Sequence, residues 1–486
     1  MFLAAPATFA QEDIDDPTTT TQVEDGEDSA EDDEFLNDDS DSASDSEEAG
    51  TGMPFLVLLL IIVTIILMLH GMPLFGALGG LGLLLTYDAD GWEGMLNNFV
   101  HPFSSLSENE LLLPIPLFTL VGYVLANSQA PKRIVAVFQW LTQKTLGASA
   151  ATFGILALIV AAVFTPLTGA SGVTIIALGG ILFPILAKQK YDEQLNLGII
   201  TSSGSLGLLF FPSLPVILYG ILSNNKAPIP DLFIAGLIPG ALLIIIPSIW
   251  IIIKTRKIKT DAEKLEFSTD VKPHLVKFLI EMAAIPVLFY LFLTGKIIIA
   301  EMGMLTLVYY FVLEVIIYRE IKAAKLFRVF EESMSLLGGI LIIIFFAMAF
   351  TGFLVDQQVP DKIFDALSPY IKNKWTFLIL LNIFLLLVGA LMDIFSAIVV
   401  VAPLIIPLGE KYGINMVHLG ILFLTNLEIG YLTPPVGINL FISSFRFKKP
   451  LVEIYKSVIP FLIALLITQI IITYIPFVSL WYELFR

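Results

Sequence analysis

Long apolar runs recur from Met53 to Ile475, separated by short polar segments. A run of roughly 18 or more apolar residues is long enough to cross a membrane as a helix. The pattern predicts five crossings and one re-entrant hairpin in each half of the chain. In the first half the spans fall near 54–70, 72–87 and 111–127, followed by a basic amphipathic stretch from Pro131 to Trp140. A hairpin over 149–187 comes next, with its tip at Thr168-Gly-Ala-Ser-Gly172, then a broken span over 195–222 and a last span over 232–253. The order repeats 223 residues later, as 277–293, 295–317, 333–354, a hairpin near 375–409, a broken span over 416–443 and a final span over 458–478.

The repeat is sharpest at the breaks. Thr201–Pro215 reads TSSGSLGLLFFPSLP and Leu424–Gly437 reads LTNLEIGYLTPPVG. The shift of 223 puts Gly207 on Gly430, Pro212 on Pro435 and Pro184 on Pro407. Glycine and proline interrupting apolar segments at matching places in two halves point to a transporter's binding site. Unwound backbone frees carbonyls and amides, which survive at membrane depth only where they line a cavity or hold a solute. Five crossings is an odd number, so the two halves lie upside down to one another. The expected fold is an all-α polytopic membrane protein, an inverted repeat with two re-entrant hairpins and two broken helices.

Lys and Arg collect in cytoplasmic loops, which tests that arrangement. With the first half starting outside, the inner segments 128–148, 187–194, 254–276, 318–329 and 444–457 carry 19 basic residues against seven at outer positions. Both termini are therefore expected outside. The net charge of −17 belongs to one end: residues 1–50 hold 18 Asp and Glu and no Lys or Arg. So acidic a stretch with few apolar residues is expected to be a disordered tail. Met1–Ala10 reads as a signal-peptide remnant, with small residues before a cleavage point after Ala10 but no basic start. The expected organisation is thus 1–10 remnant, 11–51 tail, 52–253 first membrane repeat, 254–276 basic cytoplasmic connector and 277–480 second membrane repeat.

Composition narrows the function. The chain is 56% hydrophobic, with a mean hydropathy of +0.85. A soluble protein of this composition would need nearly every helix buried on all sides. Cysteine is absent, which excludes disulfides and thiol chemistry. His70, His101, His274 and His418 are scattered without metal-ligand spacing. No phosphate-loop lysine motif occurs, so ATP hydrolysis is not expected, and neither is nucleic acid binding. Gly76, Gly79 and Gly82 read as small residues that let helices approach closely.

An ionisable residue inside the hydrocarbon is costly and marks a functional hypothesis. Asp393 stands between two apolar runs at the second hairpin tip, opposite Ala170 by the shift of 223. It reads as a sodium or substrate contact, or as a helix cap. Glu428, matched to Ser205, lies in the second broken span and could instead pair with an amide or a neighbouring helix. Ser171, Thr174, Ser203, Ser205, Asn426 and Thr433 supply further oxygens. With carbonyls freed near Gly207 and Gly430, they suit a hard cation such as sodium. Helix N-termini at the tips favour an anionic carboxylate. The candidate substrate contacts are Ser171, Ser205, Asp393 and Thr433. The candidate sodium ligands are Ser171, Thr174, Ser203, Gly207, Asp393, Asn426, Gly430 and Thr433. An enzyme would show clustered titratable residues, which Asp393 and Glu428 alone do not supply.

At these residues the chain resembles the large membrane subunit of tripartite ATP-independent periplasmic (TRAP) transporters, the DctM-like family. The run from Asn426 to Phe441, NLEIGYLTPPVGINLF, carries most of the resemblance. Leu391-Met-Asp393, Leu113-Pro-Ile-Pro-Leu-Phe118 and Tyr219-Gly220 followed by Asp231–Gly236 add to it, over about residues 53–480. The resemblance implies a sodium-coupled importer of small organic acids working by an elevator mechanism in the bacterial inner membrane. It also implies two partners, a small four-helix membrane subunit and a periplasmic solute-binding protein. The alternative is a self-sufficient sodium/anion symporter of a related inverted-repeat fold.

Overall fold

The apolar runs form helices, and the breaks fall at the glycines and prolines. The computed structural model describes residues 74–108, 113–146, 149–169, 171–256, 258, 271–434 and 436–485, with isolated positions between 59 and 72. The expected signal remnant and acidic tail lie outside the described residues. So do Ala170, Pro435 and most of the expected connector. Among the described residues nine helices are long and apolar enough to cross a membrane. The chain is a multi-pass membrane protein.

The first hairpin is Ala150–Thr168 and Ser171–Lys188. Ser149 caps it by accepting the Thr152 amide. Gly169 ends the first arm at φ +68, where a residue without Cβ turns left-handed at no steric cost. The second hairpin is Lys374–Leu391 and Ile394–Lys411, each arm started by a capping side chain, Asn373 and Asp393. The first broken helix runs Glu193–Ser203 and Leu214–Leu222. The second runs Met416–Gly430 and Ile438–Phe447.

Packing across the halves follows the repeat. The second limb of each broken helix packs on the second arm of the other half's hairpin. Likewise Leu74–Glu108 packs on Ala323–Asp356, and Pro114–Asn127 on Ile299–Phe311. A shift of 223 carries one pair of each set onto the other, as a two-fold relation requires. Gly79 and Gly82 face Phe346 and Phe350 across the first of these contacts, where a methyl group would clash or crowd.

Two spans differ from expectation. The segment expected over 72–87 is the helix Leu74–Glu108, which continues past the end of the apolar run through a non-helical joint at Gly91 (φ 68). The segment expected over 333–354 starts at Ala323. Helix continuation costs little once a turn exists, so hydropathy marks where the membrane ends rather than where the helix does. Ile459, Ile463, Ile467 and Ile470 are exposed along one face of Leu451–Tyr474, at helical spacing, as a lipid-facing stripe requires.

Candidate functional site

Both hairpin tips open onto one cavity of about 510 Å³. Three repeat-related pairs line it together: Ser171 with Ile394, Gly172 with Phe395, and Leu208 with Tyr431. The cavity therefore lies where the two halves meet. The long helix Ala323–Asp356 closes one side through Ser335, Gly339 and Ile343. An adjoining recess of about 540 Å³ shares Tyr123, Ser335 and Leu336 with it and reaches Arg328, Glu331 and Glu332.

Asp393 is half-buried and is the charged residue of the cavity lining. Its Oδ1 accepts the amides of Phe395 (3.1 Å) and Ser396 (3.0 Å), and its Oδ2 accepts the Ser396 hydroxyl. The capping role weighed from sequence is present, and the carboxylate still faces the cavity. The Ile394 amide donates to the Tyr431 hydroxyl, and the Gly437 amide to the Ala390 carbonyl at 2.9 Å. The second tip is thus tied to the second break. Ser171 donates to Asn439 Oδ1 at 2.8 Å, which ties the first tip to the same broken helix.

Of the residues singled out from sequence, Ser171 and Asp393 line this cavity, and the other described ones do not. The Thr174 hydroxyl lies 3.2 Å from that of Thr168, bridging the arms of the first hairpin. Ser203 donates to the Ile200 carbonyl and Thr433 to that of Ile429, each bonding back to its own helix. Ser205 is buried. The expectation of freed carbonyls at Gly207 and Gly430 needs correcting. Each carbonyl accepts an amide three residues on, from Phe210 and Thr433, both at 2.9 Å. The two glycines answer to packing. A Cβ on Gly207 would strike the Ala162 carbonyl and Pro166, and one on Gly430 would sit 2.5 Å from Gly389 Cα. Broken helices can tighten into short-range turns, which keep their own hydrogen bonds.

Unpartnered oxygens occur elsewhere in the second broken helix. Asn426 Nδ2 donates to Asn382 Oδ1 at 2.8 Å, within a network that includes Gln469 and Thr473. Its own Oδ1 has no partner. Glu428 is 2% exposed, and neither carboxylate oxygen has a partner. Neither the amide nor the helix pairing considered from sequence is made. Hard cations take such oxygens. Residues two apart on a helix do not share a face, so Asn426 and Glu428 serve two different places.

A second charged cluster escaped the sequence reading. Arg133 is 2% exposed and meets three carboxylates. It pairs with Glu281 and holds Glu314 through both oxygens, at 3.0 and 3.1 Å, and both glutamates are fully buried. Glu320 completes the set, accepts the Gln129 amide and lies 3.6 Å from Lys277. Burial pushes the Glu320 carboxyl up, but the Gln129 amide and the guanidinium outweigh it and hold the group below its ordinary value. A π-helical turn, Val312–Ile317, carries Glu314. The signal that could have found the cluster is the cost of charge inside apolar spans, applied to Glu281 and Glu314 as it was to Asp393.

The fold resembles the crystal structure of the Alcanivorax borkumensis YdaH transporter, with a TM-score of 0.55 and 15% identity over 88% of this chain and 98% of that one. In sequence it is 30% identical to the C4-dicarboxylate TRAP transporter large permease protein DctM of Pseudomonas aeruginosa, over 77% of this chain and 86% of the relative. The sialic acid TRAP transporter large permease protein SiaM of Vibrio cholerae is 25% identical over 78% of this chain and 87% of its own. The isethionate TRAP transporter permease protein DctMQ of Oleidesulfovibrio alaskensis is 25% identical over 76% of this chain and 58% of its own. The family described as the DctM component of tripartite ATP-independent periplasmic transporters matches residues 53–478. With its paired hairpins, paired breaks and shared central cavity, the chain belongs to that family.

Proposed function

We propose that this chain is the translocating subunit of a sodium-coupled importer of small organic acids in the bacterial inner membrane. The observation that carries the reading is the cavity between the two hairpin tips, with Asp393 as its charged side chain. An organic carboxylate entering beside Asp393 meets a like charge in a poorly solvated place. A cation bound with it removes that repulsion, so cation and acid are taken up together. Sodium fits the donor chemistry: carboxylate, hydroxyl and amide oxygens, including the unpartnered Asn426 Oδ1 and the Glu428 carboxylate. The relatives are named for C4-dicarboxylates, sialic acid and isethionate, all acids. A small four-helix membrane subunit and a periplasmic solute-binding protein are the proposed partners. The relative named DctMQ, longer than this chain, is what a fusion with the small subunit would look like. The hairpin-bearing half of each repeat is proposed to move as an elevator against the remaining helices.

Reconstitution with both partners tests this. Uptake is expected under an imposed sodium gradient without ATP. Equal uptake with potassium replacing sodium on both sides of the membrane overturns the coupling.

A further inference from the structure

We infer that the acid this cavity accepts carries a single carboxylate on an apolar body, an aliphatic or aromatic monocarboxylate rather than a dicarboxylate or a polyhydroxylated acid. The inference rests on the reading of the chain as an organic-acid transporter and names the substrate class of that same cavity. Its walls are aliphatic, among them Val173, Ile176, Ile340, Ile343, Ile438 and Ile442, with Phe395 at the second tip. Among the described lining residues there is no Lys, Arg, His, Asn or Gln. The polar groups are the hydroxyls of Ser171, Tyr431, Tyr123 and Ser335, with Asp393. Ser171 already donates to Asn439, and Tyr431 already accepts the Ile394 amide.

One carboxylate has a place here. It can lie near the amino-terminal end of Ser171–Lys188, where the helix dipole favours an anion; the amino-terminal end of Ile394–Lys411 is already capped by Asp393. A second carboxylate on the same small molecule would face the aliphatic wall. No Lys, Arg or His among the described residues of this wall receives it, the Arg328 of the adjoining recess being paired with Glu332, and an unpaired buried charge is among the costliest groups to bury. Added hydroxyls meet the same wall, a milder penalty of about 100-fold in selection. Added methylenes gain instead, by roughly fourfold in affinity each when buried.

Thermal unfolding of the purified complex of this chain with its small membrane subunit, in sodium, reads acid binding without the solute-binding protein. The series acetate, butyrate, 4-methylpentanoate and phenylacetate is compared with succinate and gluconate. Stabilisation is expected to appear at concentrations falling about fourfold per methylene across the aliphatic acids. Succinate and gluconate should need at least ~100-fold more than 4-methylpentanoate. Ile176→Arg, at a lining position that is itself half exposed, supplies the missing cation and should gain at least ~10-fold in succinate binding. Stabilisation of the parent by succinate at or below the monocarboxylate concentration overturns the inference. So does the absence of a shift with every acid. Neither result touches the transport reading, which is decided separately by sodium-driven uptake.

Discussion

Asp393 joins a structural task to a site position. One oxygen caps the helix Ile394–Lys411, while the carboxylate lines the cavity. The two tasks separate by substitution, because Asn and Asp rank alike as N-caps. Asp393→Asn is expected to keep the amide contacts of Phe395 and Ser396, assemble normally and lose most sodium-driven uptake. Asp393→Ala should in addition lower stability by ~1 kcal/mol. Parent-like uptake by the Asn variant across a sodium titration would remove the charge from the mechanism. Asp393 was legible because a charge between two apolar runs stands out in one dimension. Glu281 and Glu314 obey the same rule, but their partner is Arg133, more than 140 residues away in sequence. Only folding brings that guanidinium to them, and without it neither glutamate is explained. A buried pair of this kind is worth little beyond its desolvation cost, yet stranding one member is expensive.

At the scale of elements, the glycines of the breaks changed meaning. Sequence offers two uses for a glycine in an apolar segment, a freed backbone or a close approach. Gly430 has the second. Its φ is not left-handed, and its Cα faces Gly389 and Ala390 where the two helices touch. The repeat shows the same device at Gly207 against Ala162 and Pro166. Alanine should gain ~1 kcal/mol of helix propensity at position 430. The clash is with backbone, which has little room to give, and overpacking costs ~1–3 kcal/mol. Gly430→Ala is therefore expected to lower the melting temperature of the purified complex. Gly338→Ala, at a mid-helix position with open space around it, should leave it equal or higher. A Gly430→Ala melt matching that control would contradict the packing account.

For the whole molecule, the odd number of crossings per repeat and the distribution of basic residues carry the orientation. Both termini are expected in the periplasm. The recess at Arg328, Glu331 and Glu332 is then expected on the cytoplasmic side. A reporter active only outside the cytoplasm, fused after Arg486, should be active, and one placed in the 254–274 loop silent. The opposite result would overturn the orientation.

The sequence by itself determined the helical class, the inverted repeat, the places of both hairpins and both breaks, and Asp393 at a tip. These are local properties: apolar run length, glycine and proline positions, and a charge where none is cheap. Tertiary structure decided what those signals are near. It brought Ser171 and Asp393 to one cavity while leaving Ser203 and Thr433 bonded to their own helices, and it tied Arg133 to three distant glutamates. It also made the cavity wall aliphatic, because that wall is assembled from five separate stretches of chain whose shared face no single periodicity records.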